Sequence, residues 1–259
     1  MNLVTEDVGV DYTGVGFEAD VLFCTVYNAS GGSFSAFTLG FATNDRAGTV
    51  VQRAGFQRGR DNRTTTDNVA GVQDDAVMVV GANSSVGIYA DVSAFDADGF
   101  TATPRNTGTG NPGSNELGYL ALRFGSTPVV SSKVYTFSTP TSTGDNTDTG
   151  AGFEPQAIFY ATTLVTTINT PDTGSGSGAV GVAVITDGAQ YHNTVASQDG
   201  VTTTNTQSLS DNQAINLPLH DGAAGMAATY STFTSTGVTL NWSDVEGSAR
   251  LFGALAIGA

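Results

Sequence analysis

The chain reads as an all-β protein built of two tandem, internally duplicated antiparallel β-sandwich domains of jelly-roll-like type, and three observations carry that reading. Helix formers are scarce: there is one Lys and little Glu, against long stretches of Thr, Ser, Val, Gly and Asp that suit strands and tight turns. A phrase is written twice, GVGFEADVLFC at residues 14–24 returning 136 positions later as GAGFEPQAIFY at 150–160. The chain's 259 residues are also enough for two domains of ordinary size, each with a core of its own.

Taken in order, residues 3–12 supply a first strand to copy one, and residues 129–137 supply the matching strand to copy two, followed by a polar loop that contains TPTSTGDNTDT. The duplicated phrase comes next. A Gly and then Phe-Glu with a run of apolar residues describes a turn followed by a strand buried on both faces, because its apolar residues run together instead of alternating. Leu39-Gly40-Phe41-Ala42 is then answered by Val180-Gly181-Val182-Ala183. Phe95-Asp-Ala-Asp-Gly99-Phe100-Thr101 is answered by Phe233-Thr-Ser-Thr-Gly237-Val238-Thr239, two strands joined by a tight turn at the Gly. Each copy closes on a small-apolar strand, Gly118 answering Gly253 and Leu120-Ala121 answering Leu255-Ala256. Six to eight strands per copy make a sandwich. The boundary falls near residue 126, giving domains 1–126 and 127–259. Two copies are too few to cover the core of a long solenoid.

Charge narrows the function. Asp plus Glu number 24 against 9 Lys plus Arg, a net charge of −15, and all but one of the cations are Arg. Such a surface repels nucleic acid and anionic lipid. Carboxylate-rich, lysine-poor surfaces suit concentrated salt, where screening removes most self-repulsion, so a hypersaline source is expected. The opening MNLVTEDVGV lacks the basic start and apolar core of a secretion signal, and no apolar run has bilayer-spanning length, so neither secretion nor membrane insertion is expected. The single cysteine, Cys24, sits in an apolar run and reads as core rather than nucleophile.

Asp91, Asp96 and Asp98 could place carboxylates around calcium, but copy two has Thr229, Thr234 and Thr236 there and keeps the Gly, so the shared element is turn geometry. His192 and His220 have no His or Cys neighbours at zinc-ligand spacing. No pair of acids is singled out for glycosidase work and no nucleophile or phosphate-loop motif appears, so a non-enzymatic protein without cofactor or metal is expected. The distinctive feature is RAGTVVQRAGFQRGRDNR at 46–63, which crowds Arg46, Arg53, Arg58, Arg60 and Arg63 into an otherwise acidic chain. Guanidinium pairs bidentately with carboxylate and tolerates burial, so this segment is the candidate docking interface for an acidic partner or a neighbouring subunit. The alternative is a strand pair neutralised by acids of its own domain, Asp45, Asp61 and Asp67.

With both openings and both closings in hand, the chain resembles a family of virion proteins of tailed viruses. Their β-sandwich repeats read roughly Gly-Phe-x-Pro-x-x-φ-φ-Phe, then Gly-Phe-Ala, then Asp-Gly-Phe-Thr-φ and Tyr-Leu-Ala-φ. Copy two keeps the Pro as Pro155, whereas copy one keeps Gly40-Phe41-Ala42 and Asp98-Gly99-Phe100-Thr101. The resemblance covers most of both halves. Joined to the salt-adapted charge, it implies a structural protein on the surface of a haloarchaeal tailed virus, as capsid decoration, turret or tail attachment component. Its partners would be other virion proteins and further copies of itself in a symmetric oligomer. The alternative function is a carbohydrate- or receptor-binding sandwich, in which aromatics such as Tyr191 and Trp242 stack on a host-surface glycan or glycoprotein.

Overall fold

The computed structural model describes residues 8–28, 34–44, 49–60, 64–65, 67–82, 85–106, 115–124, 131–172, 177–203, 206–219 and 224–258. None of them is helical. The first half carries β1 (Val10–Tyr12), β2 (Val21–Asn28), β3 (Phe34–Asn44), β4 (Val50–Arg60), β5 (Asp67–Gln73), β6 (Met78–Ala82), β7 (Ser85–Asp96), β8 (Gly99–Asn106) and β9 (Asn115–Leu122). The second carries β10 (Ser131–Ser138), β11 (Gly144–Asp148), β12 (Ala157–Thr163), β13 (Ser177–Thr186), β14 (Ala189–Gln198), β15 (Thr206–Asp211), β16 (Ile215–Pro218), β17 (Ala224–Thr234), β18 (Gly237–Asp244) and β19 (Leu251–Gly258). That is more strands per half than expected, the surplus being short or polar edge strands without an apolar signature. The expected boundary near residue 126 lies outside the described residues, as do residues 3–7 of the expected first strand.

The strands form four antiparallel sheets: I in the order β1-β8-β7-β6, II in the order β5-β4-β3-β2-β9, III in the order β10-β19-β12-β13-β14-β15 and IV in the order β11-β18-β17-β16. Three apolar layers hold them in the sequence I, II, III, IV. Leu22, Cys24, Met78, Ile88, Val92 and Phe100 fill the layer between I and II. Ile158, Tyr160, Ile185, Leu240, Trp242 and Phe252 fill that between III and IV. Val21, Phe41, Val134, Ala161 and Leu255, with Phe23 and Phe159, join II to III. The repeated phrase is explained by this stacking. On β2, Leu22 and Cys24 face sheet I while Val21 and Phe23 face sheet III. On β12, Ile158 and Tyr160 face sheet IV while Phe159 and Ala161 face sheet II. A strand with both faces covered has no solvent side on which to place polar residues.

Register repeats between the halves. Phe23 pairs with Leu120 as Phe159 pairs with Leu255, and Thr25 pairs with Gly118 as Ala161 pairs with Gly253. Phe95 pairs with Phe100 as Phe233 pairs with Val238. The β7–β8 ladder is interrupted between Val92 and Ala94, and the β17–β18 ladder between Tyr230 and Thr232. In each case the interrupted ladder leaves an amide that a glutamine from the facing sheet accepts: Val92 N–H donates to Gln52 Oε1 at 2.8 Å and Tyr230 N–H to Gln190 Oε1 at 2.5 Å. A Cβ on Gly99 would lie 1.7 Å from the Tyr12 carbonyl oxygen, and one on Gly237 would lie 1.8 Å from that of Asp148.

Two sequence expectations need correction. Phe41 pairs with Phe23, and it is Val184, not Val182, that pairs with Phe159, so the counterpart of Gly40 is Ala183 and not Gly181. The two glycines answer different crowding: a Cβ at Gly40 would strike the Val77 carbonyl, whereas one at Gly181 would strike the Asn193 carbonyl and the Thr162 hydroxyl. The second correction concerns the polar loop after residue 138, which contains β11. It is β11, paired with β18, that matches β1, paired with β8; β10 belongs instead to sheet III, on the outer side of β19.

Candidate functional site

The site begins at β4, the strand that carries the arginine segment and lies across sheet III. Successive side chains of a strand point to opposite faces, so the arginines within it are divided. Arg53 turns toward sheet III, where its Nε donates to Thr136 Oγ1 at 2.7 Å and its Nη1 to the carbonyls of Gln52 and Asp74. Burial pulls its pKa down, against the opposing pull of Asp74 and Asp75. Arg58 turns the other way, into the layer between sheets I and II, and is 3% exposed. The structure therefore sets Arg53 and Arg58 back to back inside the chain, not side by side on one outer face. Arg46 and Arg63 lie outside the described residues, as does the side chain of Arg60.

Further along the same face, Gly55 lets the backbone of β4 approach Ala161, whose Cβ would be 3.0 Å from an added Cβ. Gln57 Nε2 donates to Ser197 Oγ at 2.7 Å, and Asn68 reaches Asp199 Oδ1 through its backbone N–H and the Gln198 carbonyl through its side-chain amide. The edge of β5 is closed by the segment after β12: Ala70 and Asp172 exchange backbone hydrogen bonds, and Asn169, at a φ of 58°, donates its N–H to the Val72 carbonyl. An open edge invites foreign strands, and here the second half covers it.

Beyond these bridges, sheets II and III diverge and leave a cleft of about 800 Å³. Phe37, Gln57 and Asn68 line one wall; Asn193, Val195 and Leu209 line the other. Asp67 is the one ionisable residue in that lining. The walls offer hydroxyl and amide groups among exposed apolar side chains, a surface suited to holding a neutral strand, loop or sugar.

The remaining candidates have structural partners. Asp98 accepts the N–H groups of Gly14 and Gly16 at 3.1 and 2.7 Å, Asp96 accepts the Thr101 hydroxyl, and Asp91 pairs with Arg105 at 2.9 Å. No group of three or more His, Cys, Asp or Glu is placed to hold a metal ion among the described residues. Cys24 is buried, and burial pushes its thiol up to about 12, which keeps it protonated. His192, 1% exposed, accepts the Asn216 N–H on Nδ1 at 2.8 Å, so its proton sits on Nε2 and faces Thr162 Oγ1 at 3.0 Å. Burial lowers its pKa to about 4, outweighing the upward pull of Asn216 and Asp211. Asp148, which no sequence signal marked, accepts both the Tyr135 and Tyr160 hydroxyls on one oxygen, at 2.7 and 2.9 Å. Burial first holds both phenols well above their ordinary range, and the Asp148 charge adds to it. The two aromatics expected to stack on sugars part company: Trp242 is 1% exposed and packs on Phe137, whereas Tyr191 is 60% exposed on β14. His220 lies outside the described residues.

No family model, curated protein or solved structure matches the chain.

Proposed function

We propose that the chain is a non-enzymatic structural protein of a virion surface, built of two tandem, internally duplicated, jelly-roll-like sandwiches and working as a symmetric oligomer with other virion proteins. The observation that carries the reading is the stacking of sheet II on sheet III. Two units with the same registers, the same interrupted ladders and the same glutamine contacts are joined through broad apolar faces, as subunits of an assembly are joined. The resemblance to tailed-virus β-sandwich repeats supplies the setting, and the net charge of −15 fits a particle exposed to concentrated salt, a haloarchaeal tailed virus being the proposed source. Mass spectrometry of washed particles tests it: the chain is expected in a copy number that matches the particle's symmetry, and its absence from washed particles would overturn the proposal.

One observation favours a second reading, a carbohydrate- or receptor-binding sandwich. Phe37 is 39% exposed in a cleft lined by amides and hydroxyls, by apolar side chains such as Val195 and by one carboxylate, Asp67, the mixture of groups that sugar rings use. Trp242 has no part in it. Binding of host-surface glycans that is lost in Phe37→Ala would favour this reading, and glycan binding that survives the substitution would count against the cleft.

A further inference from the structure

The contact between sheets II and III is not symmetric. At one end Val21, Phe23 and Phe41 pack on the second half, Phe23 against its own counterpart Phe159; away from that end the first half presents its β4–β5 face and the second its β12–β19 face, extended by β10. Where like units dock through unlike parts of their faces, each keeps the matching part unused. The registers identify the unused faces residue by residue. Tyr191, Asn193 and Val195 on β14 occupy the positions that Arg53, Gly55 and Gln57 occupy on β4, because Val184, Val182 and Val180 pair with the former as Phe41, Leu39 and Phe37 pair with the latter. Gln57 is 9% exposed; Val195 is 43% exposed and Tyr191 60%. In the same way Ser208 and Ser210 are exposed where Ala70 and Val72 are buried.

The other unused face is equally specific. Leu255 is fully buried between the sheets, and its counterpart Leu120 is 56% exposed. Ala161 and Gly253 are buried, and their counterparts Thr25 and Gly118 are exposed. β19 is covered along its outer edge by β10, whereas among the described residues nothing pairs with the outer edge of β9. Leu120, Tyr191 and Val195 are thus exposed large apolar side chains at positions whose counterparts form the internal contact.

We infer that these two faces are partners in trans: the β9–β2 edge of one copy of this chain seats in the cleft of a second copy, against β14 and β15. The contact repeats between molecules the arrangement already made within one. It is head-to-tail, so it propagates to a closed ring or an open row instead of stopping at a dimer. Its apolar part, Leu120 against Val195, is not screened by salt. The inference deepens the assembly reading given above but does not depend on location in a particle, because a chain absent from washed virions would still show this contact in solution.

Sedimentation of the purified full chain in dilute and concentrated salt tests it, using Leu120→Asp to disable one face and Val195→Asp to disable the other. Thr25→Asp and Tyr191→Asp serve as second variants, and an unchanged thermal midpoint shows that each remains folded. The wild-type chain is expected to form species larger than a dimer as concentration rises, and each single variant to associate at least about tenfold more weakly. An equimolar mixture of Leu120→Asp and Val195→Asp chains retains one intact pair of faces and is expected to stop at a dimer. A monomeric wild-type chain at all concentrations, a mixture that stays monomeric, or single variants that still self-associate like the wild type would each overturn the inference.

Discussion

Gln52 and Gln190 show how much one side chain can settle. Each reaches across a sandwich to accept the amide that an interrupted ladder leaves over, Val92 in one half and Tyr230 in the other. Replacing either by Leu keeps the bulk and removes the acceptor, so Gln52→Leu and Gln190→Leu are each expected to cost roughly 1–3 kcal/mol. The two lie in different apolar layers, so denaturant unfolding of the double variant should show the losses adding to within about 0.5 kcal/mol. His192 makes a different prediction. Its folded pKa of about 4 lies below the ordinary 6.5, so above pH 6.5 its burial carries no protonation penalty. As pH falls toward 4 the unfolded chain binds a proton that the folded chain refuses, and stability drops; below 4 this contribution is flat. Many carboxylates also titrate there, so the measurement is a difference. The unfolding free energy of His192→Gln should fall less steeply between pH 6.5 and 4 than that of the wild-type chain, and an equal slope would refute the assignment.

At the scale of the element, the turn glycines are the clearest instances of backbone contact that admits no side chain. Gly99 starts β8 beneath the Tyr12 carbonyl, and Gly237 starts β18 beneath the Asp148 carbonyl. Gly99→Ala and Gly237→Ala should each displace the neighbouring edge strand, β1 or β11, at a cost of about 1–3 kcal/mol in the denaturant midpoint. Gly247→Ala, with nothing within 4 Å of the added carbon, should leave the midpoint unchanged or slightly raised. These glycines were legible from the sequence, because their surroundings repeat and a turn needs Gly for reasons of local geometry. β12 and β2 were legible too, since a strand covered on both sides must be apolar throughout. β11 was not. Its residues, Gly-Asp-Asn-Thr-Asp, form an edge strand whose side chains are mostly exposed, and its ladder is supported by side-chain bonds such as Asn241 to Asp145 and Thr147 with Thr239, which leave no apolar pattern. The Gly40 register was misread for a related reason: Gly-x-Ala spacing recurs by chance in a chain rich in both residues, whereas pairing is set by the strand's whole apolar face.

For the molecule as a whole, the excess of acids makes salt a stabiliser. Screening shortens from about 10 Å at 0.1 M to about 3 Å at 1 M, so the thermal midpoint should climb over that range and continue to a plateau. A midpoint that falls with salt would mean that specific ion pairs outweigh general repulsion. The packing of β4 was only half legible. Clustered arginines marked β4 as unusual, and β4 does carry the contact between the halves, but strand alternation sends Arg53 and Arg58 to opposite sides, and nothing local in a sequence tells which side of a strand a neighbouring sheet will cover. The uncovered faces emerge only when one half is laid on the other, pair by pair. The ladders of the inner sheets also bear on time. β2 finds its second partner in β9 and β12 finds its second partner in β19, each roughly a hundred residues downstream, and the cost of closing loops of that length makes folding slow, on the order of milliseconds to seconds. Throughout that wait β2 and β12 can pair with their sequence neighbours β3 and β13 on one side only and keep an apolar edge open on the other, so the rate at which the chain is made, and how crowded its nascent copies are, will decide how much of it reaches the native state.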